Sequence, residues 1–447
     1  MQFDLVKQAL ICAAEAAGLC EYEIFFSESS NVSAETLKDE ISSFSSSVSG
    51  GIGFRCVVDG HLGCASTALL TEEEMVALVA RATENAKNIE SEDKAIIFEG
   101  SEHYEPCTPP PSELMSAAQV KDLALRLQRE AYSSSKWITD GTQSGVVSEK
   151  LHYELINSKG LSLSNHVCVS AAYLQAVIQK DGESQDGFSS TVDMSEEKLS
   201  SLSKEAIDHA ETKIGATTIA SGKYDVIFSA KQMRALLSTF DSVFSGRQAM
   251  LGLSLLKGKE GEQIASTCVT LVDDPRREGC TMQTSFDGEG VATYRKNVIE
   301  NGVLRTLLYD LATADRMGVT STGNGQRSSY TDSVSIAPYS FYMAGGLVNH
   351  DALVAQVSDG IYITELKGLH AGANAVTGDF SLESAGFRIR DGKICEAVRS
   401  FTVAGNFFEL LRTIEALSDE VSFGLPSGLT SYGAPDALIR KMSVAGT

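Results

Sequence analysis

Residues 52–64 read Ile-Gly-Phe-Arg-Cys-Val-Val-Asp-Gly-His-Leu-Gly-Cys. Ile52, Phe54, Cys56 and Val58 recur at every second position, which places them on one face of an extended strand. Asp59-Gly60 suits the positive φ of a tight hairpin turn, and Leu62 and Cys64 resume the alternation. The stretch predicts a β-hairpin with one apolar face. Thr71-Glu72-Glu73-Glu74 follows. A threonine with glutamate three residues later can satisfy the first unpaired N–H groups of a helix, so a helix is expected from there to about Asn88. Another helix is expected before the hairpin, at about residues 3–17, with Leu5, Ala9, Ile11, Cys12 and Ala16 as its apolar positions.

The same order recurs further on. A helix is expected at about 112–133. Leu155 to Ser164 reads as a strand pair around Ser158-Lys159-Gly160, and a longer pair turns near Asp181-Gly182. Ser195-Glu196-Glu197 then opens a helix running to about Ile214. Residues 1–100 and 112–215 are therefore expected to be two copies of one α+β unit. Between them, Glu99 to Glu113 holds three of the eight prolines, Pro109, Pro110 and Pro111, and reads as an extended spacer. A weaker boundary lies at Gly215 to Gly222. From Lys223 onward the pattern changes. Tyr224 to Phe228 predicts a strand and Ala230 to Phe244 a helix. Short strands follow, with turns at Asp287-Gly288, Asn301-Gly302 and Asp391-Gly392, and with helices at about 307–317 and 407–417. Residues 222–447 are expected to form a β-rich domain.

A chain of 447 residues is long enough for two or three cores. No apolar run approaches the roughly 18 residues of a membrane span. Residues 1–20 lack the basic start of a secretory signal, and Asp4 and Glu15 interrupt their apolar stretch. The expected location is the cytoplasm, where the Asn31-Val32-Ser33 sequon has no meaning. Nine cysteines without a Cys-x-x-Cys pair fit reduced thiols, most of them small apolar fillers. A net charge of −22 argues against direct contact with nucleic-acid phosphates. Arg276-Arg277 and Arg388 with Arg390 are too small a basic patch to change that. The charge favours solubility, or attraction to basic peptides.

Five stretches carry a family resemblance. Gly368 to Phe387 reads GLHAGANAVTGDFSLESAGF, and Val398 to Asn406 reads VRSFTVAGN. Ser285 to Tyr294 reads SFDGEGVATY, followed by Val298-Ile-Glu-Asn-Gly-Val303, and Ser321 to Gly325 reads STGNG. These resemble the TldD/PmbA family, once called modulators of DNA gyrase, and the first two resemble its PmbA/TldE branch. The resemblance implies a duplicated α+β part followed by a β-rich domain with a barrel-like core. It also implies metal-dependent proteolysis by a heterodimer, in which one subunit supplies a zinc site and the other completes the chamber. In the TldD branch the matching helix carries His-Glu-x-x-x-His. Here Leu236 to Gly246 reads LLSTFDSVFSG, and the three motif positions are Ser238, Thr239 and Val243. None is a strong zinc ligand and none is a general base at neutral pH. The expectation is a chain with no catalytic residue, no metal ligand and no cofactor of its own, zinc being held only by a catalytic partner.

The remaining candidates are weaker. No two of the seven histidines, 61, 103, 152, 166, 209, 350 and 370, lie within five residues of each other, so no zincin-like helical pair exists. His370, in a glycine-rich loop, is the best candidate for a site assembled from distant residues, with Asp379 and Cys395 as conceivable partners; the plainer reading is a loop histidine with no ligand. Ser238 and Thr239 as nucleophiles would need a base that no nearby histidine supplies. Gly323-Asn324-Gly325 lacks phosphate-loop spacing and reads as a turn. Asp273-Asp274 before Pro275 reads as the start of another.

Three functions remain in play. The first is a non-catalytic TldE/PmbA-like subunit that holds an extended peptide, where strand addition to a sheet edge would serve. Its partner would be a TldD-like zinc-binding paralogue, or a second copy in isolation, associating through the β-rich half. Gly368 to Phe387 would line the chamber, with His370, Gly372, Asn374, Thr377 and Asp379 contacting peptide or partner. The second is an active peptidase with a non-standard site. The third is a regulatory binding protein of the gyrase-modulator type with no proteolytic role.

Overall fold

The computed structural model describes residues 3–90, 93–108 and 113–446. Its first half is a layer of helices on one long sheet. Helix α1 (Phe3–Ala16) precedes strands β1 (Tyr22–Leu37), β2 (Glu40–Val58) and β3 (His61–Thr67) and helix α2 (Glu72–Asn88). Helix α3 (Ala117–Ser134) precedes β4 (Gln143–Asn157), β5 (Ser162–Lys180), β6 (Glu183–Thr191) and helix α4 (Glu196–Glu211). The six strands form one sheet in the order β3-β2-β1-β4-β5-β6. Every pairing is antiparallel. The two segments thus share an element order, but they form a single sheet joined through β1 and β4 rather than two separate bodies.

Local chemistry explains the turns and ends. Asp59 and Gly60 have φ of 51° and 84°, and Asp181 and Gly182 have 53° and 83°, as the hairpin turns require. The Thr71 hydroxyl accepts from the Glu74 N–H. A capping box of Ser116 and Gln119 starts α3 at Ala117, later than the expected 112. Pro109, Pro110, Pro111 and Ser112 lie outside the described residues. The buried stripe of α1 is Phe3, Val6, Leu10 and Ala14, while Leu5, Cys12 and Ala16 are exposed. The expected apolar face is therefore corrected: Phe3 stacks on Phe26 at 4.5 Å and sets the phase of the helix. Of the thiols, only Cys56, Cys168 and Cys280 are buried, so filling the core is a minority role.

Alternate residues of the long strands divide between two neighbours. Ile24, Phe26, Ile52 and Phe54 pack under α1 and α2, and Val32, Ala34, Val146 and Leu174 under α3 and α4. On the opposite face Phe25, Tyr153 and Leu155 pack against Phe286 from the C-terminal part. The expected spacer is not independent of that part either. Tyr104 donates to the Gly290 carbonyl at 2.7 Å, and the Ala292 N–H donates to the Ser101 hydroxyl at 3.0 Å.

The C-terminal part contains a closed barrel. Strand β7 (Gly222–Phe228) pairs with Asp359–Lys367, which pairs with Asp379–Arg390, then Lys393–Asn406, then Ala437–Ala445, which returns to β7. Helix α5 (Ala230–Phe240) packs against it, with Phe240 stacked on Phe407 at 4.6 Å. Short strands, including Leu271–Asp273, Lys296–Glu300 and Ser340–Met343, build a second six-stranded sheet. Three helices are shorter than expected, among them α5, which ends at Phe240 rather than Phe244. Leu311–Met317 begins only after Asp310, whose carboxylate caps the Thr313 N–H at 2.7 Å. Phe407–Thr413 gives way to a strand, Ile414–Leu417, because pairing with Ala437–Ala445 overrides helical periodicity there. Among the described residues no helix is long and apolar enough to cross a membrane.

Candidate functional site

Helix α5 buries Gln232, Met233, Leu236, Leu237 and Phe240, a helical stripe facing the largest core cluster. Ser238 and Thr239 fall on its half-buried flank. The Thr239 hydroxyl donates to the Ala235 carbonyl at 2.8 Å within the helix. Ser238 faces the Tyr432 phenol, whose O–H donates to Asp241. A 3-10 turn, Asp241–Phe244, follows and buries Val243. The positions that would carry two imidazoles and a carboxylate thus present one hydroxyl beside a phenol, one committed hydroxyl and a core methyl pair. This donor set does not fit zinc. Asp241 is the nearest carboxylate in sequence. Burial pushes its carboxyl up, and bonds from Tyr432 and the Ser242 N–H hold it down. Among the described residues no three His, Cys, Asp or Glu side chains are grouped to hold a metal ion.

The Gly368 to Phe387 segment lies beside this helix. Gly368 has a φ of 76° and leads into a short helix, Leu369–Gly372, which touches α5. His370 is exposed on it, so the expected loop is a helical turn. Asn374, Thr377 and Asp379 are also exposed, but much of their hydrogen bonding is local. The Asn374 side-chain Oδ1 accepts from the Val376 and Thr377 N–H groups, and Asn406 donates to Asp379 at 2.9 Å. Gly372 lies against the neighbouring strand: a Cβ there would stand 2.5 Å from the Ser381 carbonyl oxygen. The structure does not unite His370, Asp379 and Cys395. The register pairs Asp379 with Asn406 and Arg390 with Lys393, which puts Cys395 at the far end of the strand pair.

Sequence reasoning missed a network of buried charges between the first sheet and the C-terminal part. Glu23 on β1 is fully buried and grips Arg55 of β2 through two bonds of 3.0 and 2.8 Å. Arg327 donates to the same carboxylate, at the Oε1 that Arg55 Nε also reaches, and to the Gly288 carbonyl at 2.7 Å. Burial opposes the charge on Glu23, but the two guanidinium groups outweigh it and hold its pKa below the usual value. Asp287 and Glu289 of the SFDGEG stretch stand beside this group. Asp287 accepts from the Glu289, Val291 and Gly325 N–H groups. Glu289 lies 3.9 Å from Arg55 and accepts from the Leu311 N–H at 2.8 Å. Burial first, and the Asp287 charge second, push the Glu289 carboxyl up.

The STGNG stretch is built into a second network. Asn324 donates to Asp273 at 2.8 Å, and Lys296 donates to both Asp273 and Asn324 at 3.2 Å. Asp273 and Asn324 are thus buried partners of a lysine rather than simple turn formers. The available signal was the recurrence of carboxylates and amides inside glycine-rich stretches that also hold buried aromatics, such as Phe286. A cavity of about 390 Å³ opens beside the first network, lined by Arg55, Cys64, Glu289, Asp310, Arg327 and Tyr330 among others. The forks of Arg55 and Arg327 are already committed to Glu23 and Gly288, so the network acts mainly to lock the sheet to the C-terminal part.

This fold and these stretches define a family. Residues 221–446 match the PmbA/TldA metallopeptidase C-terminal domain, residues 22–86 match its domain 1, and residues 110–214 match its central domain. The chain belongs to the PmbA/TldD metallopeptidase family. An uncharacterized protein of Methanocaldococcus jannaschii is 30% identical over 421 residues, covering 93% of this chain and 95% of that one. The metalloprotease PmbA of Escherichia coli O157:H7 is 22% identical, covering 100% of this chain and 97% of that protein. Among solved structures, a candidate modulator of a DNA gyrase from Thermotoga maritima superposes with a TM-score of 0.89 at 27% identity, covering 99% of this chain and 100% of that one. TldE from Thermococcus kodakarensis shares the fold, with a TM-score of 0.87 at 23% identity and 99% of each chain covered.

Proposed function

We propose that this chain is a non-catalytic subunit of a cytoplasmic peptidase complex. A TldD-like zinc-binding paralogue supplies the catalytic centre, and this chain helps shape the chamber that receives an extended peptide. The observation that carries the reading is the set of side chains at Ser238, Thr239 and Val243. The fold of a metallopeptidase family surrounds them, yet none can bind zinc or activate water. The exposed face of the 368–387 segment, with His370, Asn374, Thr377 and Asp379, lies beside the same helix and offers polar groups to a peptide or to the partner.

The test is co-expression with a paralogue from the same genome that carries His-Glu-x-x-x-His. The complex should co-purify, hold zinc and cleave unstructured peptides, and the chain alone should do neither of the last two. Chelator-sensitive peptidase activity from the chain alone would favour the non-standard-site reading. DNA binding by the chain that weakens steeply with salt, without any effect on proteolysis, would favour the regulatory reading.

A further inference from the structure

The edge of β2 is open over much of its length. Residues 40–56 of β2 pair with β1, with a bulge at Ser42, but β3 covers only Ile52 to Val58, so among the described residues no strand pairs with the outer edge of residues 40–51. Residues 42–49 are exposed, Phe44 and Val48 among them. The corresponding stretch of the other half, residues 162–171 of β5, is also beyond the reach of β6. It is instead largely buried, with Asn165 bonded to the Gln283 carbonyl at 3.0 Å. Only one of the two equivalent edges is bare.

Its chemistry is unusual for a bare edge. Proteins commonly protect such edges with lysine, proline or inward charges, because unpaired N–H and C=O groups recruit another strand. Residues 41–54 read ISSFSSSVSGGIGF, with no charged residue and no proline, in a chain of net charge −22. Lys121 of α3 lies against this patch, its ammonium 3.7 Å from the Phe44 ring centre.

We propose that this edge docks a second copy of the chain by antiparallel strand addition about a two-fold axis at Ser46. The stretch is self-complementary in that register. Phe44 falls opposite Val48 of the second copy on the helix-bearing face, Ser45 opposite Ser47, and Ser42 opposite Gly50. Each copy contributes the same patch, as a two-fold contact requires. Both exposed apolar residues gain a partner, and no carboxylate meets another across the join despite the acidity of the whole molecule. The result is one sheet running through both copies. This develops the second-copy association expected from the sequence for the chain in isolation, and moves the contact from the β-rich half to the first sheet.

Sedimentation mass at micromolar concentration tests it without substrate or zinc, so it can fail while the activity reading stands. The wild-type chain should sediment at about twice 47.7 kDa. Ser46→Lys puts two like charges on the axis and should give the monomer mass. Phe44→Lys with Val48→Glu places opposite charges across the join and should keep the dimer, whereas Phe44→Glu with Val48→Glu should abolish it. All these positions are exposed, and circular dichroism melting confirms that each variant folds. A monomeric wild type overturns the proposal, as does a dimer that survives Ser46→Lys. So does a monomeric wild type whose edge binds a synthetic extended peptide in a Ser46→Lys-sensitive way, an outcome that would reassign the edge to peptide capture.

Discussion

Arg327 and Glu23 lie 304 residues apart in the chain and meet as a buried ion pair, with side chains 3% and 0% exposed. The contact joins the C-terminal part to the central strand pair of the first sheet. Arg327 also stacks over the Phe25 ring at 4.1 Å, so its position is fixed by an aromatic face as well as by charge. Glu23 is held twice, by Arg55 and by Arg327, and among the described residues neither arginine has another carboxylate at hydrogen-bond distance.

Removing Glu23 should therefore be costly. Glu23→Leu strands two guanidinium groups out of water, and breaking a buried pair in this way costs about 3–5 kcal/mol. Urea unfolding of the full chain measures it. A loss below about 1 kcal/mol would mean that the interface relaxes to let water reach both arginines.

Stability should also fall as pH rises through the neutral range, through Glu289. Burial, and then the Asp287 charge, raise its folded pKa above the ordinary carboxylate value. Between the unfolded and folded values the native state holds a proton that the unfolded chain has released. Stability then decreases with pH until the folded value is passed. Glu289→Gln removes that proton linkage, so its unfolding free energy should vary less with pH than that of the wild type, and the two curves should diverge towards alkaline pH. Parallel curves from pH 5 to about 9 would show that Glu289 is charged in the folded state throughout, against the raised value.

The strands, hairpin turns and helix caps were legible because local chemistry decides them. Asp59-Gly60 and Asp181-Gly182 adopt the positive φ their composition suggests. Thr71 caps α2 as its spacing with Glu74 requires. The closed barrel could be named only through resemblance, since its ring depends on pairings between β7 and strands more than 130 residues later. The charge network was illegible for the same reason. Glu23 sits in an ordinary alternating strand, and nothing near it in sequence announces Arg327. Asp287-Gly288 carried a turn signal that was correct for the backbone but silent about the buried carboxylate. The apolar face of α1 is only partly legible: Ala9 and Ile11 pack against the core as expected, but Leu5 is apolar and exposed, and the stack of Phe3 on Phe26 sets the buried stripe.

The purified chain should contain no stoichiometric zinc and show no peptidase activity alone. Metal analysis by mass spectrometry and a fluorogenic peptide assay read the two parts. Restoring the motif should not be simple either. Val243 is buried against the core, and Val243→His puts a ring with polar nitrogens where no partner waits. A loss of about 1–3 kcal/mol is expected from that change alone. Zinc bound by protein groups at one per chain, with activity abolished by chelator, would overturn the first expectation.

The role of the 368–387 segment can be separated from its folding by two variants that lie two residues apart. Gly372 permits a close backbone approach: a Cβ would stand 2.5 Å from the Ser381 oxygen and 3.1 Å from the Leu382 side chain. Gly372→Leu should therefore lower the melting temperature, at a cost of about 1–3 kcal/mol for forced overpacking, and any loss of activity in that variant is uninformative. His370 is exposed and touches no such constraint, so His370→Ala should melt within about 0.5 kcal/mol of the wild type. If the exposed face of this turn meets peptide or the catalytic partner, His370→Ala should still weaken processing by the assembled complex. Two measurements on each variant, melting of the isolated chain and peptide turnover by the complex, decide the matter. Full turnover with His370→Ala removes His370 from the contact surface. Unchanged melting with Gly372→Leu would show that the turn can swing away from the Ser381 strand, and would return Gly372 to the set of positions where lost activity speaks for contact with the peptide.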